Sequence, residues 1–185
     1  MAFDREQRKI YHARLMSARP FIDSLDFARN GREISGVAPI ARFARLQEEL
    51  ESPDGIVTYT LRGGVDRQDI PYLEVGAAGE CRLRCQRCMG ALEYVIAIDT
   101  RLLLRDQASL DALDDHVTGA DEEEFDSILA ETELDVLSLL EEEILLSLPI
   151  APKHEAGACR VADGESEFRV EKSPFAALAK MKVVN

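Results

Sequence analysis

Cys81-Arg-Leu-Arg-Cys85-Gln-Arg-Cys88-Met-Gly90 and a later counterpart, His154-Glu-Ala-Gly-Ala-Cys159, hold all four cysteines of the chain. The first stretch reads as the end of one strand, a knuckle and the start of the next. Upstream, Leu73, Val75 and Ala77 lead at period two towards Cys81, Leu83 and Cys85. Downstream, Leu92, Tyr94, Ile96 and Ile98 lead in the same way to Leu102 and Leu104. Alternation of this kind marks half-buried strands. The segment from Cys85 to Gly90 is short enough for a hairpin tip, and Gly90 is expected to supply its positive φ.

A C-x-x-C pair on such a knuckle, answered downstream by a histidine and a fourth cysteine, offers soft ligands to a tetrahedral metal. Cys85, Cys88, His154 and Cys159 are the expected set for one structural zinc, with Cys81 as a possible substitute. The sequence gap between the two clusters is too long for a finger module, so the site would staple a sheet to a distant segment. Arg82, Arg84 and Arg87 favour thiolate, which suits metal binding and thiol chemistry alike. A redox C-x-x-C opens a helix in a βαβ setting, whereas this pair lies between strands. A thiol-redox or metal-dependent enzyme using Cys85 and Cys88 is the competing reading.

The rest of the chain is read outward from there. Phe21-Ile-Asp-Ser-Leu-Asp-Phe27 is expected as a strand and Arg29-Asn-Gly-Arg32 as a turn. Pro39 suits a first helical position, and Ile40, Phe43, Leu46 and Leu50 share one face, which predicts a helix over 39–50. Val57, Tyr59 and Leu61 mark another strand, broken by Gly63-Gly64. Acidic residues without apolar periodicity suggest a mobile loop over 106–124, and residues 125–129 an edge strand. Asp135 caps a helix over 136–148 with Leu137, Leu140, Ile144 and Leu148 facing the core. Glu141, Glu142 and Glu143 are read as its solvated shoulder. Pro149 and Pro152 then hold the chain extended and deliver His154 and Cys159.

These elements predict an α+β fold: a bent antiparallel sheet or partial barrel with covering helices and a long acidic loop. The expected organisation is a loosely ordered basic arm over 1–20, one domain over 21–170 and a docking helix or peptide over 171–185. In the last, Ser173 can cap a helix that presents Phe175 and Leu178.

The 185 residues carry a net charge of −13. Residues 106–143 hold fifteen acidic side chains and no Lys or Arg, whereas residues 1–45 hold nine Lys/Arg against five acids. Such a molecule attracts basic proteins and repels a phosphate backbone over most of its surface. The N-terminus is too charged for a secretory leader, and no apolar run reaches the ~20 residues of a bilayer span. A cytoplasmic protein is expected. Neither a phosphate-binding glycine loop, nor H-E-x-x-H, nor a nucleophile elbow occurs in the sequence.

Several stretches together resemble the bacterial YceD family of large ribosomal RNA subunit accumulation proteins. They are Cys85-Gln-Arg-Cys88, the segment Leu139-Leu-Glu-Glu-Glu-Ile-Leu-Leu-Ser-Leu-Pro-Ile-Ala-Pro-Lys-His154, Cys159 and Pro174-Phe-Ala-Ala-Leu-Ala-Lys180. The resemblance implies a non-enzymatic cytoplasmic factor for synthesis, processing or stability of large-subunit ribosomal RNA. It implies no small-molecule substrate and no membrane. With the charge map, it points to a basic large-subunit ribosomal protein and/or large-subunit rRNA as partner. Arg82, Arg84, Arg87, Glu122, Glu123, Glu124 and Phe175 are the candidate contact residues.

Overall fold

The computed structural model describes residues 11–12, 20–115 and 126–159. In chain order the elements are β1 (Tyr11–His12), β2 (Phe21–Ile22), α1 (Ser24–Arg29), β3 (Glu33–Pro39), β4 (Leu50–Ser52), β5 (Ile56–Val65), β6 (Pro71–Arg84), β7 (Ala91–Arg105), α2 (Gln107–Asp115), β8 (Asp126–Leu129), β9 (Leu134–Asp135) and α3 (Val136–Ser147). Among the described residues, seven strands form one open sheet in the order β1-β3-β5-β6-β7-β8, with β4 pairing to the upper part of β6. A separate ribbon joins β2 to β9. The fold class is α+β, as the sequence implied.

The long β6–β7 hairpin is the spine of the sheet. Its register runs from Tyr72 opposite Leu103 to Arg84 opposite Ala91. Leu73, Val75, Cys81, Leu83 and Cys85 are buried along one face, and Ile96, Leu102 and Leu104 lie buried on β7. The central pairs are antiparallel, as expected. The edge pairs β1–β3 and β7–β8 are parallel, because longer connections return the chain to the same end.

α3 follows the sequence closely. The Asp135 carboxylate accepts from the N–H groups of Leu137 and Ser138, and Leu137, Leu140 and Ile144 are buried. Tyr94 on β7 donates its hydroxyl to the Ser147 carbonyl at 2.8 Å and ties the helix end to the sheet.

Glu141 departs from expectation. It is no solvated shoulder but 6% exposed, and one carboxylate oxygen accepts from the N–H groups of Arg45 at 2.7 Å and Leu46 at 3.1 Å. The same contact explains why residues 39–50 are not one α-helix. Ile40, Phe43, Leu46 and Leu50 are all buried, as their spacing predicted, but the backbone forms two 3-10 turns, Ile40–Arg42 and Leu46–Glu48, and then strand β4. The Ile40 N–H goes to the Gly55 carbonyl and those of Arg45 and Leu46 go to Glu141, so the helical ladder loses its donors.

Three other expectations are corrected. The predicted strand over 21–27 stops at Ile22, because Asp23 accepts from the Asp26 N–H and starts α1. Gly63 and Gly64 do not break β5. A Cβ on Gly63 would lie 2.6 Å from Ala28 Cα and the Phe27 carbonyl oxygen, and one on Gly64 would meet the Tyr72 ring, so both glycines serve close packing inside the strand. Residues 107–115 of the expected acidic loop form α2. There the Asp106 carboxylate accepts from the Ser109 N–H and caps the helix. The remainder of that loop, most of the 1–20 arm and the 171–185 segment lie outside the described residues.

Glu141→Ala should cost about 2–4 kcal/mol, because it strands two N–H groups against a closed core. Glu141→Gln, which keeps an acceptor oxygen in place, should cost about 1 kcal/mol. Urea unfolding checks this as a drop in midpoint at constant slope. Equal loss for both variants would show that packing, not the acceptor, is what matters.

Candidate metal centre

The knuckle closes through backbone bonds. Cys85 donates its N–H to the Gly90 carbonyl at 2.9 Å, and the Met89 N–H returns to the Cys85 carbonyl at 2.8 Å. The positive φ that the tip requires falls on Met89, at 59°, rather than on Gly90. The Met89 side chain points to solvent, so the left-handed backbone there costs only its local strain.

The segment after α3 lies directly on this tip. The Gln86 N–H donates to the Pro152 carbonyl at 2.9 Å and the Gln86 amide to the Ile150 carbonyl at 3.4 Å. Pro149 and Pro152 keep the segment extended, so its carbonyls face the knuckle instead of continuing the helix. A turn closed by the Ala158 N–H on the Glu155 carbonyl, with Gly157 at φ 86°, folds Cys159 back towards His154.

Cys85, Cys88, His154 and Cys159 thereby meet. Their donor atoms all lie within 4.8 Å of one another. The Cys85 and Cys159 sulfurs are 3.8 Å apart, and His154 Nδ1 stands 3.5 Å from the Cys88 sulfur and 3.7 Å from that of Cys159. Ligands bound at about 2.1–2.3 Å around a tetrahedral ion stand about 3.5–3.8 Å from one another, so these separations are the edges of such a tetrahedron. The donor set therefore fits a metal ion of zinc type, held by residues up to 74 positions apart in the chain, Cys85 and Cys159.

The surroundings support the ligand roles. His154 Nε2 lies 2.8 Å from the Ala91 carbonyl, which can only accept, so Nε2 is the donor there and Nδ1 is the nitrogen that faces the sulfurs. The Arg87 N–H points at the Cys85 sulfur at 3.5 Å. Burial favours the neutral thiol of Cys85, but N–H groups of Cys88, His154 and Arg87 outweigh it and bring its pKa down to about 5. Burial and its neighbouring sulfurs push the Cys159 thiol up. A thiol this acidic beside a histidine ring nitrogen is a nucleus onto which an ion can settle, displacing thiol protons.

Cys81 lies four residues back along β6, about 13 Å away, in the apolar core, where burial raises its pKa. It is a core thiol outside the cluster, because the period-two pleat fixes it at a different depth of the same face. Of the three arginines, Arg82 is engaged by Asp54 at 2.7 Å and Glu51 at 4.0 Å, and Arg84 donates to the Leu50 carbonyl at 3.0 Å. Arg87 stands exposed at the tip. Glu122, Glu123, Glu124 and Phe175 lie outside the described residues. The Ala91, Ile150 and Pro152 carbonyls that order the site left no trace in the sequence, since a backbone acceptor looks alike under any side chain.

A seven-stranded α+β sheet protein whose central hairpin meets a post-helical segment in a Cys3His cluster is the class that fold and site define. The family model for "Large ribosomal RNA subunit accumulation protein YceD" matches residues 73–182, more than half of the chain, and the chain belongs to that family. A protein of that name from Haemophilus influenzae is 26% identical over 168 residues, covering 87% of this chain and 94% of the relative. No solved structure matches. No helix among the described residues is long and apolar enough to cross a membrane.

Loading with cobalt(II) should give one ion per chain with the intense visible bands of a tetrahedral thiolate site. Cys81→Ser should keep those bands and the stoichiometry. Cys85→Ser or Cys88→Ser should lower affinity by at least 100-fold. Loss of the bands in the Cys81 variant, or their survival in both of the others, would show that a different ligand set is in use.

Proposed function

We propose that this chain is a non-enzymatic cytoplasmic factor that supports accumulation of large-subunit ribosomal RNA, and that it acts by binding a basic large-subunit ribosomal protein and/or the RNA during assembly. Membership in the family, with a relative of that printed name aligned over most of both chains, is the observation that carries this reading. One zinc ion, held by Cys85, Cys88, His154 and Cys159, would be structural. Four protein donors fill a tetrahedral shell, whereas catalytic zinc keeps a position open for water or substrate.

The charge map supports the partner class. Fourteen carboxylates between residues 106 and 143, the buried Glu141 left out and Glu122, Glu123 and Glu124 among them, would shield the cationic surface of a newly made ribosomal protein. Arg87 at the knuckle and the basic residues of the first 45 positions would be the RNA-facing charges, with Arg82 and Arg84 contributing through what their local partners leave exposed. Phe175 would anchor a C-terminal docking contact.

Depletion of the protein should lower large-subunit rRNA relative to small-subunit rRNA, and re-expression of the wild type or of Cys81→Ser should restore the ratio. Quantifying both RNAs from the same cells checks this. A ratio that stays constant on depletion removes the assignment.

A further inference from the structure

The strand register arranges the outward face of the central sheet in rows. One row is Val37, Thr58, Ala78 and Ala97; the next is Pro39 and Ile56 on one side with Glu80 and Val95 on the other. Their opposite faces carry buried Ala38, Val57, Ala77 and Ile96, so every side chain in these rows points away from the core. Val37, Ile56 and Val95 are 46%, 58% and 66% exposed. Thr58, Ala78 and Ala97 fill the row of Val37, and Glu80 stands between Ile56 and Val95, so the patch is an apolar trough about 14 Å across four strands with one carboxylate inside it.

Its electrostatic frame is one-sided. Two rows from the trough, Glu33 with Arg62 at 2.9 Å and Glu74 with Arg101 at 2.6 Å neutralise each other. On the opposite flank Arg82 stands across from Glu93 in the register but is turned to Asp54 at 2.7 Å and Glu51 at 4.0 Å, so this one cation faces three carboxylates. Glu80, Glu93 and Asp99 form none of the ion pairs described and stand exposed around Val95 and Ala97. The charge left uncompensated at the trough is therefore negative.

We propose that this outer sheet face is a docking surface for a basic protein segment that places an apolar side chain in the trough and Lys or Arg side chains against Glu80, Glu93 and Asp99. The sign of the charge selects this occupant. A nucleic acid or an anionic membrane would be repelled, and two copies of the face would repel each other. A cationic chain gains charge complementarity at the rim and burial at the centre, the arrangement of a protein interface. The identity of the partner as ribosomal rests on the proposed function; the location and chemistry of the surface do not.

The test uses the full chain and, as probe, the basic proteins extracted from salt-washed large ribosomal subunits, with retained species identified and then titrated singly. Val95→Arg and the pair Glu80→Lys/Glu93→Lys alter exposed positions only. Each should weaken binding at least ten-fold, and the pair should flatten its salt dependence. Glu48→Lys/Glu49→Lys, exposed positions outside both this face and the 106–143 acidic region, makes the same change in net charge and should stay within two-fold. The proposal is overturned if Val95→Arg binds as tightly as the wild type, if the distant pair weakens binding equally, or if the wild type retains none of these proteins. A dimer that Val95→Arg dissociates would overturn it too, in favour of a second copy. In each of those cases the rRNA ratio on depletion still decides the proposed function separately.

Discussion

Two parts of the chain that are far apart in sequence must meet at one point, the turn between β6 and β7, and the rest of the structure depends on that meeting. The knuckle alone would be an exposed hairpin tip, and residues 150–159 alone would be a proline-held tail. Gln86 joins them by backbone and side-chain bonds to Pro152 and Ile150, and His154 adds a bond to the Ala91 carbonyl. The three cysteines and the histidine are brought to tetrahedral spacing by these ordinary hydrogen bonds. An ion at their centre would convert several weak contacts, each worth about 0.5–1.5 kcal/mol, into one strong one.

A second long-range contact works in the same sense at the other end of α3's first turns. Glu141 reaches across to the N–H groups of Arg45 and Leu46, so the helix fixes the fold of the segment preceding β4. β4 pairs with β6 at Leu83, two residues before Cys85. α3 therefore acts on the knuckle through β4 as well as through the segment that follows it. Its C-terminal end is held on β7 by Tyr94. The core and the metal centre share these supports and should not be separable by mutation of α3.

Much of this was legible in the sequence because local chemistry and global fold agree there. The alternation through Leu73–Leu83 and Leu92–Leu104, the Asp135 cap and the prolines after α3 each state a local preference that the structure keeps. The metal-ligand spacing singled out four residues, and the structure brings their donor atoms within 4.8 Å of one another. What escaped was decided by distant partners. The apolar spacing of Ile40, Phe43, Leu46 and Leu50 identified a buried face, but a carboxylate 95 residues away redirected the backbone hydrogen bonds and made turns instead of a helix. Gly63-Gly64 looked like a breaker because the sequence does not show α1 lying on β5. The outer sheet face was invisible for a related reason: only the register shows that Val37, Ile56 and Val95 belong to one patch.

X-ray absorption at the zinc edge of the purified full-length chain tests the central structural claim most directly. Three sulfurs at about 2.3 Å and one nitrogen at about 2.0–2.1 Å are predicted, with no oxygen ligand. A chain purified without bound zinc that fails to take it up stoichiometrically, or a spectrum that requires a light-atom ligand in place of one sulfur, would contradict the account.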